Sequence, residues 1–127
     1  MITHIGFTTL YVGDQQRSLD FYVGKLGFTV HTDAELGRGK RWLELALPGS
    51  ATRLVVSRAA DFDTVVDTER GTNFALSCDD IGDTYLELVK IGVEASEPVV
   101  EPWGAFLTVN DPDGYEIYIS QTSDEVD

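Results

Sequence analysis

The chain is poor in the residues that most narrow a function. Its single cysteine, Cys78, excludes an intrachain disulfide and a thiolate cluster of the zinc type, and its place in an apolar run reads as packing. No stretch approaches the roughly 18 consecutive apolar residues of a membrane span. The opening Met-Ile-Thr-His-Ile-Gly-Phe lacks a basic region followed by an apolar run, so a soluble, cytoplasmic protein is expected. Basic residues are scarce too. Nine Lys and Arg against 22 Asp and Glu give a formal net charge of −13, which opposes phosphate backbones and anionic lipid surfaces. Nucleic acid and membranes are therefore not expected partners, whereas a cationic ligand would be attracted. Also missing are a Gly-x-Ser-x-Gly elbow, a glycine-rich loop running from strand into helix, and a His-Glu-x-x-His pair. Nucleotide and redox-cofactor chemistry have no support.

What is present is a pattern that occurs twice. Residues 3–12 are β-branched and aromatic and read as a strand. Asp14 is placed to cap a helix with Leu19, Tyr22, Val23 and Leu26 as one apolar stripe, and Gly27 falls just past its end. Strands are predicted at 28–33, 41–47 and 52–57, which completes a βαβββ unit. A strand at 73–78 then restarts the pattern, with Asp80 as cap, Ile81, Tyr85, Leu88 and Val89 as stripe, and Gly92 as terminator. Strands at 105–110 and 115–121 follow, joined by the Asp111-Pro112-Asp113-Gly114 turn. A shift that carries Asp14 onto Asp80 also carries Leu10 onto Leu76 and Tyr22 onto Leu88. The expected organisation is one α+β domain over residues 1–127, with module one at 1–58, an acidic linker at 59–71, module two at 72–122 and an acidic tail at 123–127.

Strand alternation divides the side chains between two faces. Leu43, Leu45 and Leu47 share one face of their strand, and Ile117 and Ile119 share one face of theirs, so these sets pack under the helices. The opposite face, with Phe7, Thr9, Tyr11, Trp42, Glu44, Asn73, Ser77, Glu116 and Tyr118, mixes aromatic and polar groups and suits the wall of a ligand cavity. The alternative is a partly solvated sheet face or a dimer surface. Alternation from Phe28 and Val30 turns Thr29 and His31 the same way, whereas His4 falls on the helix side.

The run Tyr11-Val12-Gly13-Asp14-Gln15-Gln16-Arg17-Ser18-Leu19-Asp20-Phe21-Tyr22, with Lys25-Leu26-Gly27-Phe28 after it, resembles the opening of a vicinal oxygen chelate domain. Trp103-Gly104 and Asp111-Pro112-Asp113-Gly114-Tyr115 are similar to that superfamily's closing hairpin, so the resemblance covers nearly the whole chain. It groups the sequence with glyoxalase I, the bleomycin-resistance proteins and the extradiol dioxygenases. The fold it implies is two tandem βαβββ modules forming a curled mixed sheet, a cup with helices outside, often completed by a homodimer. In metal-dependent members each of four strands supplies one ligand, typically His, Glu or Gln. The corresponding positions here are Phe7, Asn73, Tyr118 and, within one residue, Val55, a set with little affinity for a metal.

The leading expectation is therefore a small-molecule binding protein of the drug-sequestering, antibiotic-resistance kind, without cofactor. Its aromatic lining would be Phe7, Tyr11, Trp42, Trp103, Phe106 and Tyr118, joined by Thr9, Glu44, Asn73 and Ser77, and its ligand would be aromatic or cationic. The alternative is an enzyme, a glyoxalase-like lyase or a dioxygenase. It would hold a divalent metal on displaced ligands such as His31, Glu44 and Glu116, or use Glu44, Glu116, Tyr118 or His31 in acid-base chemistry.

Overall fold

Asp14 and Asp80 start two helices by one device. Each is extended (φ −140°, ψ 109° and φ −143°, ψ 110°), and its carboxylate accepts the backbone N–H three residues on, from Arg17 at 3.0 Å and from Asp83 at 2.9 Å. This satisfies a donor that the helix start leaves without an intrahelical partner, a contribution of about 1 kcal/mol. The helices are α1 (Gln15–Gly24) and α2 (Ile81–Lys90). Beyond them Gly27 and Gly92 turn the chain at φ 83° and 84°, a conformation that strains any residue with a Cβ. The computed structural model describes residues 1–122; the acidic tail at 123–127 lies outside the described residues.

Four strands accompany each helix. β1 (Phe7–Val12), β2 (Thr29–Glu35), β3 (Arg41–Ala46) and β4 (Arg53–Arg58) form a mixed sheet in the order β1-β4-β3-β2. β5 (Leu76–Ser77), β6 (Val99–Glu101), β7 (Gly104–Asn110) and β8 (Glu116–Thr122) form another in the order β5-β8-β7-β6. In both sheets the strand before the helix runs parallel to the last strand of its half, and the other pairings are antiparallel. The α+β class and the doubled βαβββ order are thus as expected. The chain divides into two compact units, Met1–Asp67 and a second from Thr68 on.

In the first unit α1 packs against β4, and the covered face is built from Leu10, Val12, Leu43, Leu45, Leu54 and Val56, all at most 4% exposed. In the second, α2 packs against β7 and β8 over Leu107, Val109, Ile117 and Ile119. Truncating such a leucine to alanine costs about 2–5 kcal/mol. No helix among the described residues is long and apolar enough to cross a membrane.

Several boundaries and faces differ from expectation. β1 begins at Phe7 rather than Thr3, leaving Ile2 and Ile5 exposed. The α1 face is buried most deeply at Gln15, Ser18 and Tyr22, not along Leu19, Val23 and Leu26. The reason is a hydrogen-bonding role: Gln15 Nε2 donates to the carbonyls of Arg41 and Val56, both at 2.9 Å, so a polar side chain is satisfied inside. On α2 Leu88 is buried, but Val89 is 50% exposed. β5 keeps only two residues, since Thr72 Oγ1 bonds the Phe74 carbonyl at 2.8 Å and holds the approach in a local turn. Part of the predicted linker belongs to the first unit as a 3₁₀ turn at Ala59–Phe62, with Ala59 buried and Asp61 paired to Arg58 at 2.6 Å.

Candidate functional site

Each unit leaves one face of its sheet free of helix, and on both these faces aromatic rings are partly bare. In the first unit the register aligns Thr9 with Val55 and Val55 with Glu44, so β1, β4 and β3 contribute Phe7, Thr9, Tyr11, Arg53, Val55, Ser57, Trp42 and Glu44 to one face. Phe7 and Trp42 meet edge to face, with ring centroids 6.3 Å apart. Tyr11 lies beside Phe62 at 6.1 Å, and Lys40 Nζ sits 6.0 Å from the Phe62 centroid.

The polar centre of this face is Glu44. Its Oε2 accepts from Trp42 Nε1 at 2.7 Å, and its Oε1 accepts from Arg53 Nη1 at 3.2 Å. The Trp42 hydrogen bond is the chief influence holding the carboxyl below its usual range. Burial opposes it, while Arg53 and, more weakly, the His31 charge reinforce it. Glu44 is therefore a fixed, compensated carboxylate. A general acid or base near neutrality would need the opposite displacement.

In the second unit Asp111 sets the hairpin that carries the rings. Its Oδ1 accepts from Asp113 N at 3.0 Å and Tyr115 N at 2.9 Å, and Gly114 completes the turn at φ 94°. The resulting register pairs Thr108 with Tyr118 and Phe106 with Ser120, which makes Phe106 and Tyr118 diagonal neighbours. Their centroids are 5.6 Å apart, and Trp103 lies nearly parallel to Phe106 (14°) at 5.8 Å. Trp103 is 51% and Tyr118 46% exposed, so the cluster presents two half-bare rings. Ser77, paired with Ser120, is on the same face of this sheet, as is the exposed Glu116 opposite Asn110.

The remaining sequence candidates fall as follows. Asn73 is exposed in a bend before β5, not in a strand. His31 sits where the β2 register shifts, between Val30 and Thr32, so Thr32 and not His31 stands opposite Glu44. The alternation predicted for that strand is broken there, and His31 is exposed with Nδ1 2.8 Å from Thr32 Oγ1. His4 is exposed before β1 and hydrogen-bonds Thr3 Oγ1 through Nδ1 at 2.9 Å. Of the four positions that the resemblance assigns to metal ligands, two have no side-chain atom that could hold one. Phe7 and the buried Val55 carry only carbon, and the Tyr118 ring is packed on Phe106. Among the described residues no three His, Cys, Asp or Glu side chains gather as a metal site requires.

Arg53, Ser57 and Phe62 on the first unit's face escaped the sequence reading. Arg53 and Ser57 lie two positions before and after Val55, so alternation alone carried the signal. Phe62 stood in a stretch read as linker and showed none.

Residues 2–119 match the model of the Glyoxalase/Bleomycin resistance protein/Dioxygenase superfamily. The uncharacterized protein YetH of Bacillus subtilis strain 168 is 36% identical over 115 residues, covering 90% of this chain and 94% of its own. Among solved structures, the antibiotic binding protein TnmS3 from Streptomyces sp. CB03234 is 33% identical with a TM-score of 0.85, covering 96% of this chain and 98% of its own. A superfamily member from Sphaerobacter thermophilus is 28% identical with a TM-score of 0.80, covering 94% and 98%.

Proposed function

The chain belongs to the glyoxalase/bleomycin resistance protein/dioxygenase superfamily, and from that premise we propose that it is a non-catalytic binding protein that sequesters a planar, aromatic small molecule without a metal. A cytoplasmic homodimer completes the reading. The observation that carries it is the aromatic cluster of Trp103, Phe106 and Tyr118, in which Trp103 stacks on Phe106 and Tyr118 packs against Phe106 at a 41° tilt, the two outer rings being about half bare. Rings already packed together lose little freedom when a flat ligand adds to the cluster, and each aromatic pair contributes about 0.5–1.5 kcal/mol beyond the area it buries. The Phe7–Trp42 pair supplies a further aromatic surface on the first unit. The likeness to an antibiotic binding protein supports the same reading. The held ionisation of Glu44 speaks against an acid-base enzyme at that residue.

The test is a thermal-shift and tryptophan-fluorescence titration of tag-free protein with flat tricyclic compounds, with and without chelator. A ligand at 100 times its dissociation constant stabilises by about 2.7 kcal/mol. Trp103→Ala should weaken binding at the second unit's aromatic cluster, and Trp42→Ala binding at the first unit's face, each at least about tenfold, and His4→Ala should leave both unchanged, consistent with the loss of aromatic contact area. Stoichiometric metal together with loss of ligand binding on chelation overturns the proposal, as does equal loss in all three variants.

A further inference from the structure

We propose that Arg53 is the polar anchor for a ligand stacked on the first unit's own Phe7–Trp42 face, and that the ligand class there is a flat ring system bearing a neutral oxygen acceptor, such as a carbonyl, rather than a flat cation. This rests on the binding function proposed above and refines it. Three observations converge on Arg53. First, the parallel register sets it beside Phe7, whose ring is 53% exposed, on the face that also carries Trp42 and Glu44. Second, it is held at both ends. Its backbone N–H donates to the Gly6 carbonyl at 3.0 Å, and its Nη1 donates to Glu44 Oε1 at 3.2 Å. Third, of the two ion-pair partners the guanidinium is the more accessible, with 42% of its side chain exposed against 15% for Glu44.

The consequence is a reversal of local sign. The whole chain is strongly acidic, with a net charge of −13, and at long range that favours cations. At physiological salt, however, exposed charges are largely screened beyond about 8 Å, so contact chemistry is decided by the groups at the face itself. There both Glu44 oxygens already accept a hydrogen bond. A flat cation arriving over Phe7 and Trp42 would meet a guanidinium before it met a carboxylate. A guanidinium offers five N–H donors in a planar fork and also lies flat on aromatic rings. An acceptor oxygen in the plane of a stacked ligand satisfies both properties. An anionic ligand would find the same donors but would come up against the Glu44 carboxylate already paired to Arg53 at 3.2 Å, which leaves the neutral acceptor as the favoured class.

Three flat tricyclics of similar size separate the cases: xanthone, with a carbonyl; N-methylacridinium, a cation; and anthracene, with neither. The expected result is xanthone binding about tenfold more tightly than N-methylacridinium, the difference a hydrogen bond to a charged donor supports. Arg53→Ala should lower xanthone affinity about tenfold while leaving anthracene within about twofold. Arg53→Lys, which keeps the charge and the pairing with Glu44 but loses the fork, should fall between the two; it serves if the alanine variant does not fold. N-methylacridinium binding as tightly as xanthone, or xanthone affinity unchanged in the folded variants, overturns the role of Arg53 and leaves the sequestration reading standing. Failure of all three compounds to bind the unaltered protein overturns both.

Discussion

Glu44→Gln keeps the shape but removes one charge and one acceptor, so it measures what the doubly accepting carboxylate contributes at this position. Trp42 Nε1 can still donate to the amide oxygen, so the 2.7 Å contact survives as a neutral hydrogen bond, but the amide NH2 then faces Arg53 Nη1, another donor, and the 3.2 Å contact is lost. Exposed ion pairs contribute about 0.2–1 kcal/mol, and charge assistance strengthens a hydrogen bond. With the carboxylate side chain 15% exposed and the guanidinium 42%, solvent screens one partner far more than the other, and a loss of about 1 kcal/mol at pH 7 is expected. In urea that is a midpoint shift of about 0.5 M for a slope near 2 kcal/mol/M. The pH dependence has a definite sign. Because the folded carboxyl titrates below its usual value, the contribution is complete above the ordinary unfolded glutamate pKa of about 4.3 and fades as pH falls through the lower folded value. Urea unfolding of both proteins at pH 7, 5 and 3.5 should show a constant gap at the first two and a narrower one at the last. A gap that is absent at pH 7, or unchanged at pH 3.5, refutes the picture of an ionised, clamped Glu44.

Asp14→Ala and Asp80→Ala should each cost about 1 kcal/mol in urea unfolding and Asn at either position should restore most of it, because the amide oxygen can still accept the N–H of Arg17 or Asp83. Gln15→Ala should cost more, about 2 kcal/mol by the same measurement, since it strips the side-chain donor from the carbonyls of Arg41 and Val56 in a buried setting.

Strand parity and helix caps were legible in the sequence because both are local. Leu43 and Leu45 facing the helix and Trp42 and Glu44 facing away follow from period-two alternation, and the register bears that division out. The duplicated topology was legible for the same reason: two aspartates, two stripes and two terminal glycines repeat in order. What the sequence concealed depends on partners distant along the chain. The burial of Gln15 and Ser18 is invisible to hydrophobic periodicity, since Gln15 is accommodated by carbonyls 26 and 41 residues away. β6 was missed because Val99–Glu101 is three residues long between Pro98 and Pro102, and its existence rests on pairing with β7. The position of His31 was misread because a register shift resets the alternation that the reading assumed. The clamp on Glu44 needed Trp42 and Arg53 together, and only one of them lies close by in sequence.

The irregular register of β2 bears on how the molecule behaves in company. β2 is the outer strand of its sheet, and a straight, apolar strand there would offer hydrogen-bonding groups to any neighbouring chain. Instead the strand changes step at Val30–Thr32 and ends in Asp33 and Glu35, with the first of these tied to Arg41 at 2.7 Å. A rim that is uneven and acidic makes a poor template, so concentrated protein is protected on that side from growing strand by strand into aggregates.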